Sequence, residues 1–309
     1  MTIANRYFRN WEHGLAFLSR MAESNGHYLF RGHSKTEYRL STSLARFTSI
    51  PHEDWNSGID MLLESFRSGL AKLGLDPIDN SDRLDWMEYA RHHGVPTPCI
   101  DFSYSPYVAL FFAFNSVRKL HPKPRKPAYS VVYALDVTQL GALWARFAEV
   151  KDSKTHGFDD LFRRFRYPTQ DLFQHGFPAN VLQLIPHPGR YNSRMQRQFG
   201  ALLYDTLNYP LLGFKDLEAF IDKQKEPPEA LPDGTSKDGS PTLVKVHINQ
   251  QCVSGIFTKL ELMGITGGTL YMDPSGVALD VINSYNYSPK TEYLRGLKFE
   301  AIDESKLHG

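Results

Sequence analysis

Residues 91–114 read RHHGVPTPCIDFSYSPYVALFFAF, and the fold is decided there. Gly94, Pro96 and Pro98 fall within five residues, which fixes the backbone of a turn and preorganises the polar groups it carries. Those groups are His92, His93, Thr97, Asp101 and Ser103. A segment needed only for connection would more often use solvated Lys, Glu and Ser. Ser105 is placed to cap a helix whose first residue is Pro106. The run from Tyr107 to Phe114 is apolar on every face, which predicts a helix buried at the centre of the molecule.

Outward from this stretch, the pattern alternates between helix and strand signals. Trp11, Leu15, Phe17 and Leu18 predict a helix over 9–24. Gly26 to Gly32 reads as a short strand ending in a glycine turn. A second helix is expected over 53–72. A third is capped by Ser81, runs through Leu84, Trp86, Met87 and Tyr89, and ends before Gly94. Strands are predicted at Ser130–Leu135, Val181–Ile185 and Ala201–Tyr204, and at Leu243–Ile248, where apolar and polar residues alternate. A final helix near 250–263 would stop at Gly264. The expectation is an α+β protein with a mixed or antiparallel central sheet flanked by helices. A single domain over 1–309 is expected, with an N-terminal helix and a core of about 26–280. The basic, proline-rich 121–127 reads as a loop, and 225–241, rich in Pro, Gly, Asp and Ser, as a flexible insertion.

Composition narrows the function classes. Apolar residues make up 41% and aromatics 13% of the 309, which is ample for a packed core and excludes wholesale disorder. The net charge of +1 gives no long-range attraction to nucleic acid or anionic membrane, so a nucleic-acid partner would need a local basic patch. Cys99 and Cys252 are the only cysteines, too few for a disulfide scaffold or a cysteine-rich zinc site. The opening MTIANRYFRNWEHGLAF has charges throughout, unlike a secretory leader. No run approaches the roughly 18 apolar residues of a membrane span. A soluble, cytoplasmic protein without a membrane partner is expected.

Separated blocks carry a family resemblance. Phe30-Arg31-Gly32, with YRLSTSLAR over 38–46 after it, resembles the opening of the FRG domain, named for that tripeptide. His93-Gly94-Val95-Pro96-Thr97, Asp101, Ser105-Pro106 and Ala109-Leu110-Phe111-Phe112-Ala113 are similar to its second block. Arg194-Met195-Gln196-Arg197-Gln198-Phe199-Gly200 resembles its Arg-x-x-x-Gln-x-Gly block, and Gly264-Ile265-Thr266 with Thr269-Leu270-Tyr271 its close. The chain departs from the pattern at Arg91 (usually glutamine), Pro98 (usually arginine) and Phe102-Ser103 (usually Trp-Thr). The resemblance implies a bacterial toxin or antiphage effector.

An arginine and glycine ending an early strand, a central His- and Thr-bearing block, and a late polar residue before a strand are also similar to the ADP-ribosyltransferase layout. That similarity implies NAD as substrate. Arg31, followed by Gly32, would clamp the pyrophosphate, a planar fork suiting paired oxygens. His93 and Thr97 would orient nicotinamide and ribose. Asp101 would support an oxocarbenium-like transition state, and Gln198 would hold a ribose hydroxyl or the acceptor. No metal is expected. The acceptor would be a protein, a nucleic acid or water, and a neutralising or regulatory partner is expected of a toxin.

Each residue also has a structural reading. Arg31 would pair with a buried carboxylate such as Asp101. His93 would sit at a helix C-terminus, favoured by the dipole. Asp101 would cap a helix or bind turn amides, Thr97 would hold the turn, and Gln198 would serve backbone hydrogen bonding. His92 reads as a surface residue, and Cys99 as a packed thiol. Arg163-Arg164-Phe165-Arg166-Tyr167 mixes cations with aromatics, fitting either nucleic-acid contact or a solvated helix face. Three functions stay open: an NAD-using enzyme, a nucleotide or nucleic-acid recognition module, and a metal-independent nuclease using His93 and Asp101.

Overall fold

A computed structural model describes residues 3–24, 27–47, 50–75, 82–117, 127–151, 157–167, 173, 177–178, 180–186, 193–224 and 241–287. Its first half contains β1 (Ile3–Phe8), α1 (Trp11–Glu23), β2 (Tyr28–His33), α2 (Ser43–Arg46), α3 (Trp55–Lys72), α4 (Arg83–His92), β3 (Cys99–Ser103) and α5 (Pro106–Phe114). There follow β4 (Tyr129–Asp136), α6 (Val137–Lys151), α7 (Phe158–Arg166), β5 (Leu182–Ile185), α8 (Ser193–Arg197) and β6 (Gly200–Asp205). The last elements are α9 (Leu217–Lys223), β7 (Leu243–Asn249), α10 (Val253–Leu262), α11 (Gly267–Tyr271) and α12 (Pro274–Tyr287).

The strands form one mixed sheet in the order β1-β7-β4-β2-β3-β6-β5. β1 runs parallel to β7, and the other neighbours are antiparallel. β4 is an interior strand buried on both faces, which is why Val131–Leu135 is apolar without a break. Val131, Tyr133 and Leu135 join a core made with α6, α7 and α9. Val132 and Ala134 join another, made with α1, α5 and α10. A third core packs α3 and α4 against Cys99, Leu202 and Tyr204. The fold is α+β, as expected.

α5 is the central helix that its sequence predicts: Ser105 Oγ accepts from Val108 N at 3.3 Å, Pro106 opens it, and seven of its nine residues are buried. Elsewhere the boundaries shift. Cys99–Ser103, taken from its prolines as part of a turn, is a strand, because Pro98 lies just before the first residue that must donate to the ladder. β1 is a strand with no sequence expectation behind it, since Asn5, Arg6 and Tyr7 are all exposed on a sheet edge and show no apolar alternation. The helix expected to be last is α10, which does end before Gly264 at φ 71°; α11 and α12 follow it. α4 is capped by Asp82, which accepts from Leu84 N at 2.8 Å, and the expected cap Ser81 lies outside the described residues. So do 121–126 and 225–240 of the two expected loops. No described helix is long and apolar enough to cross a membrane.

Candidate functional site

The site starts where the sheet opens. β2 pairs with β4 from Tyr28 to His33, and β3 with β6 from Cys99 to Ser103, but β2 meets β3 only at Phe30 and Ser103. Arg31 and His33 therefore stand at a gap. Arg31 spans it, Nη1 donating to the backbone oxygen of Asp101 at 2.6 Å and lying 3.8 Å from its carboxylate. Its Nε donates to His33 Nε2 at 3.1 Å.

Arg91, in the last turn of α4, holds the same carboxylate from the other side. Its Nε and Nη2 donate to the two Asp101 oxygens at 2.5 Å each, the bidentate fork that suits this pair. Its Nη1 reaches Thr97 Oγ1 at 2.8 Å and Ser43 Oγ at 3.3 Å. Ser43 Oγ accepts from Thr97 N and donates to Thr97 O, so the proline-locked turn ties the start of α2 to Arg91. A third guanidinium, Arg46 at the end of α2, is exposed and donates to Ser41 O at 2.7 Å. Its charge acts on Arg31, and Arg91 acts on it in turn.

Two guanidiniums thus share one carboxylate, and a third, Arg46, lies within range of their charge. Burial, opposed by Asp101 and reinforced by Arg91 and Arg46, brings Arg31 down to about 10. Burial, then Arg31 and Arg46, push His33 down to about 3, so its imidazole is neutral at pH 7 and accepts the Arg31 hydrogen bond. Burial alone would raise Asp101. Arg91, by charge and hydrogen bonds, and then Arg31 and Arg194 hold it below the usual carboxylate range.

Two cavities adjoin this cluster. The larger, about 760 Å³, takes His33 and Arg46 into its wall with Tyr38, Trp55, Asp205, Tyr209 and Lys215; its size is that of a small-molecule site. The smaller, about 100 Å³, is lined by Arg91, Asp101, His92, Arg194 and Gln198 among others.

The expected residues do not all converge. Arg31, Thr97 and Asp101 come together, and Gln198 joins Asp101 at the smaller cavity. Gln198 Nε2 donates to Leu270 O at 3.3 Å, which ties the turn before β6 to α11. His93 does not join them: it caps α4, is exposed, and rests on Phe66 and Tyr89. His92, read as a surface residue, lines the smaller cavity instead. The exchange follows from α4 ending at His92, since one residue further the ring turns about 100° away. Gly32 lies against the backbone of α5. Cys99 is fully buried with its sulfur 4.0 Å from Met87 Sδ. Burial raises its thiol pKa, which keeps Cys99 in the thiol form.

Four residues escaped the sequence reading: Arg46, His33, Asp205 and Arg91. Arg91 had a signal, a cation where the family carries glutamine. Asp205 had none, being one carboxylate at a strand end. It is buried, lines the larger cavity, and accepts from Leu207 N at 3.1 Å and Tyr209 Oη at 2.8 Å. Burial, opposed by those two bonds, raises it to about 7. The sign is then set: the folded state holds its proton more tightly, so stability falls as pH rises from about 4 to 7 and levels off above. Asp205→Asn is therefore expected to gain on the wild type as pH rises, by about 2 kcal/mol at pH 8. Urea titrations at pH 5 and 8 measure this, and an equal difference at both would refute it.

The FRG domain family model matches residues 26–121. The chain carries an FRG domain. The match takes in the FRG tripeptide on β2, α2, the Arg91–Asp101 pair and α5, which are the elements that build the arginine cluster. The block Arg194–Gly200 lies outside the matched residues. No curated protein and no solved structure matches the chain.

Proposed function

We propose that the FRG domain binds NAD by its pyrophosphate in the larger cavity and breaks the nicotinamide–ribose bond, passing ADP-ribose to water or to an acceptor, as a bacterial toxin or antiphage effector would. One observation carries the reading: Arg46 lines a cavity of ligand size, backed by Arg31 and Arg91, which share the carboxylate of Asp101. Among the described residues Arg46 has no ion pair and Arg31 and Arg91 have one carboxylate between them, and a pyrophosphate supplies the negative charge they lack. Arg46, exposed in the cavity wall with Lys215, meets the phosphates first. Arg31, behind it, is held in place by His33 and the Asp101 carbonyl. Tyr38 and Trp55 offer aromatic faces for the base. The carboxylate form of Asp205, in the same wall, stabilises the positive charge that develops on the ribose and takes the proton of the attacking water or acceptor as nicotinamide leaves.

A second reading, nucleotide recognition without chemistry, is favoured by the engagement of the carboxylate and amide first expected to act. Asp101 is held by Arg91, and Gln198 is bonded to Leu270. Nicotinamide release from NAD separates the two. The wild type is expected to release it, and Arg46→Ala and Asp205→Asn, each shown to be folded, to do so at least tenfold more slowly. Binding without release would support the second reading; neither binding nor release would overturn both.

A further inference from the structure

A third cavity, of about 160 Å³, shares no lining residue with the two beside the arginine cluster. Phe257 and Glu261 of α10 and Asp280, Asn283 and Tyr287 of α12 form its walls, joined by Phe111 of α5. Those walls are held from behind. Tyr287 Oη donates to the backbone oxygen of Val117, and Ser254 Oγ to that of Tyr287 at 2.6 Å. Asp280 accepts from Gly267 N at 2.5 Å and from Gly268 N at 2.7 Å. The rings of Phe257 and Tyr287 are parallel within 8°, their centres 5.6 Å apart, and Phe111 meets Phe257 edge to face at 6.0 Å. Asn283 stands out against this setting. It is only 6% exposed, and among the described residues neither its amide oxygen nor its amide nitrogen has a hydrogen-bond partner. Buried polar groups are nearly always paired, and an exception calls for a water or a ligand as the missing partner. An apolar residue of the same shape would avoid the cost of the unpaired amide.

We propose that this cavity is a second ligand site, for one uncharged aromatic ring bearing an amide-type edge, as on a pyrimidine base or a pyridine carboxamide. The Asn283 amide presents a donor beside an acceptor, and such an edge returns an acceptor beside a donor. The volume sets the limit of one ring, since a cavity of about 150 Å³ takes a molecule the size of benzene. Phe111, Phe257 and Tyr287 suit its planar face. Glu261 and Asp280 disfavour an anion, and among the described lining residues no Lys or Arg stands ready to hold a phosphate. The inference does not rest on NAD being cleaved, because binding is read with the ring compound alone.

The test is a ligand-observed NMR titration of the full chain with nicotinamide and with cytosine, with nicotinic acid for comparison. At least one of the two neutral rings is expected to bind, and the tighter of them tells a carboxamide site from a base site. Nicotinic acid has no donor on its carboxylate and meets Glu261 and Asp280, so it should bind about tenfold more weakly than the neutral ring. Asn283→Leu puts an apolar group of similar shape in place of the amide. It should melt no lower than the wild type and bind the same ring about tenfold more weakly. Three results would overturn the proposal: no binding of either neutral ring, equal binding by Asn283→Leu, or equal binding of nicotinic acid. Water would then be the partner of the amide.

Discussion

Gly32→Ala is expected to destabilise the fold severely. A methyl group at residue 32 would lie 1.9 Å from the Ala109 carbonyl oxygen and 2.6 Å from Ala113 N. Both are backbone atoms of α5, a helix buried on nearly every side, so neither α5 nor β2 can give way cheaply. Overpacking against side chains costs about 1–3 kcal/mol. Against two fixed backbones, a loss of about 4 kcal/mol or more is expected, a large share of a typical domain's stability. Gly69 on α3 is the control, with nothing within 4 Å of an added methyl. Gly69→Ala should be neutral or stabilising by up to about 1 kcal/mol. Denaturant midpoints decide it: a Gly32→Ala variant within 1 kcal/mol of the wild type would mean that α5 does not pack as described.

The second large effect is at Asp101. Asp101→Asn would leave Arg91, whose side chain is 14% exposed, and Arg31, 19% exposed, facing each other without a counter-charge. Breaking a buried pair typically costs 3–5 kcal/mol. Because 44% of the Asp101 side chain is open to water, screening reduces the expected loss to about 2–3 kcal/mol. The pH dependence has the opposite sign to that of Asp205. The Asp101 pKa is depressed on folding, so its contribution is present above about pH 4 and is lost as pH falls through the folded value. The gap between wild type and variant should therefore hold from pH 7 to about 5 and narrow as pH falls below about 4. Replacing Arg91 by methionine in the Asp101→Asn background should recover part of the loss. A gap that does not change with pH would show that the carboxylate's charge is not what holds the arginines.

Much of the scaffold was legible because local rules and tertiary packing agree there. Ser105, Pro106 and the apolar run after them specify a buried helix at every level, and the continuous apolar residues of β4 specify a strand covered on both faces. β3 was hidden because Pro96 and Pro98 dominate its neighbourhood, although Cys99 to Ser103 themselves can pair. β1 was hidden because an edge strand needs no apolar alternation. At the site, the motif residues Arg31, Thr97 and Asp101 did converge, being fixed by adjoining backbone. His93 was misplaced because adjacent histidines at a helix end point in different directions, and spacing alone does not say which faces inward. Arg46, His33 and Asp205 depend on how α2, β2 and β6 meet across the opening between β2 and β3. That contact is long-range and leaves no local trace.

The central claim is that Arg46, backed by the Arg31–Asp101–Arg91 cluster, holds a phosphate chain in the larger cavity. Calorimetric titration of the full chain with ADP-ribose, repeated with Arg46→Ala, tests it most directly. One molecule should bind per chain, more weakly as salt rises, and Arg46→Ala should lose at least tenfold in affinity while melting like the wild type. No binding by the wild type, or equal binding by Arg46→Ala, would contradict it.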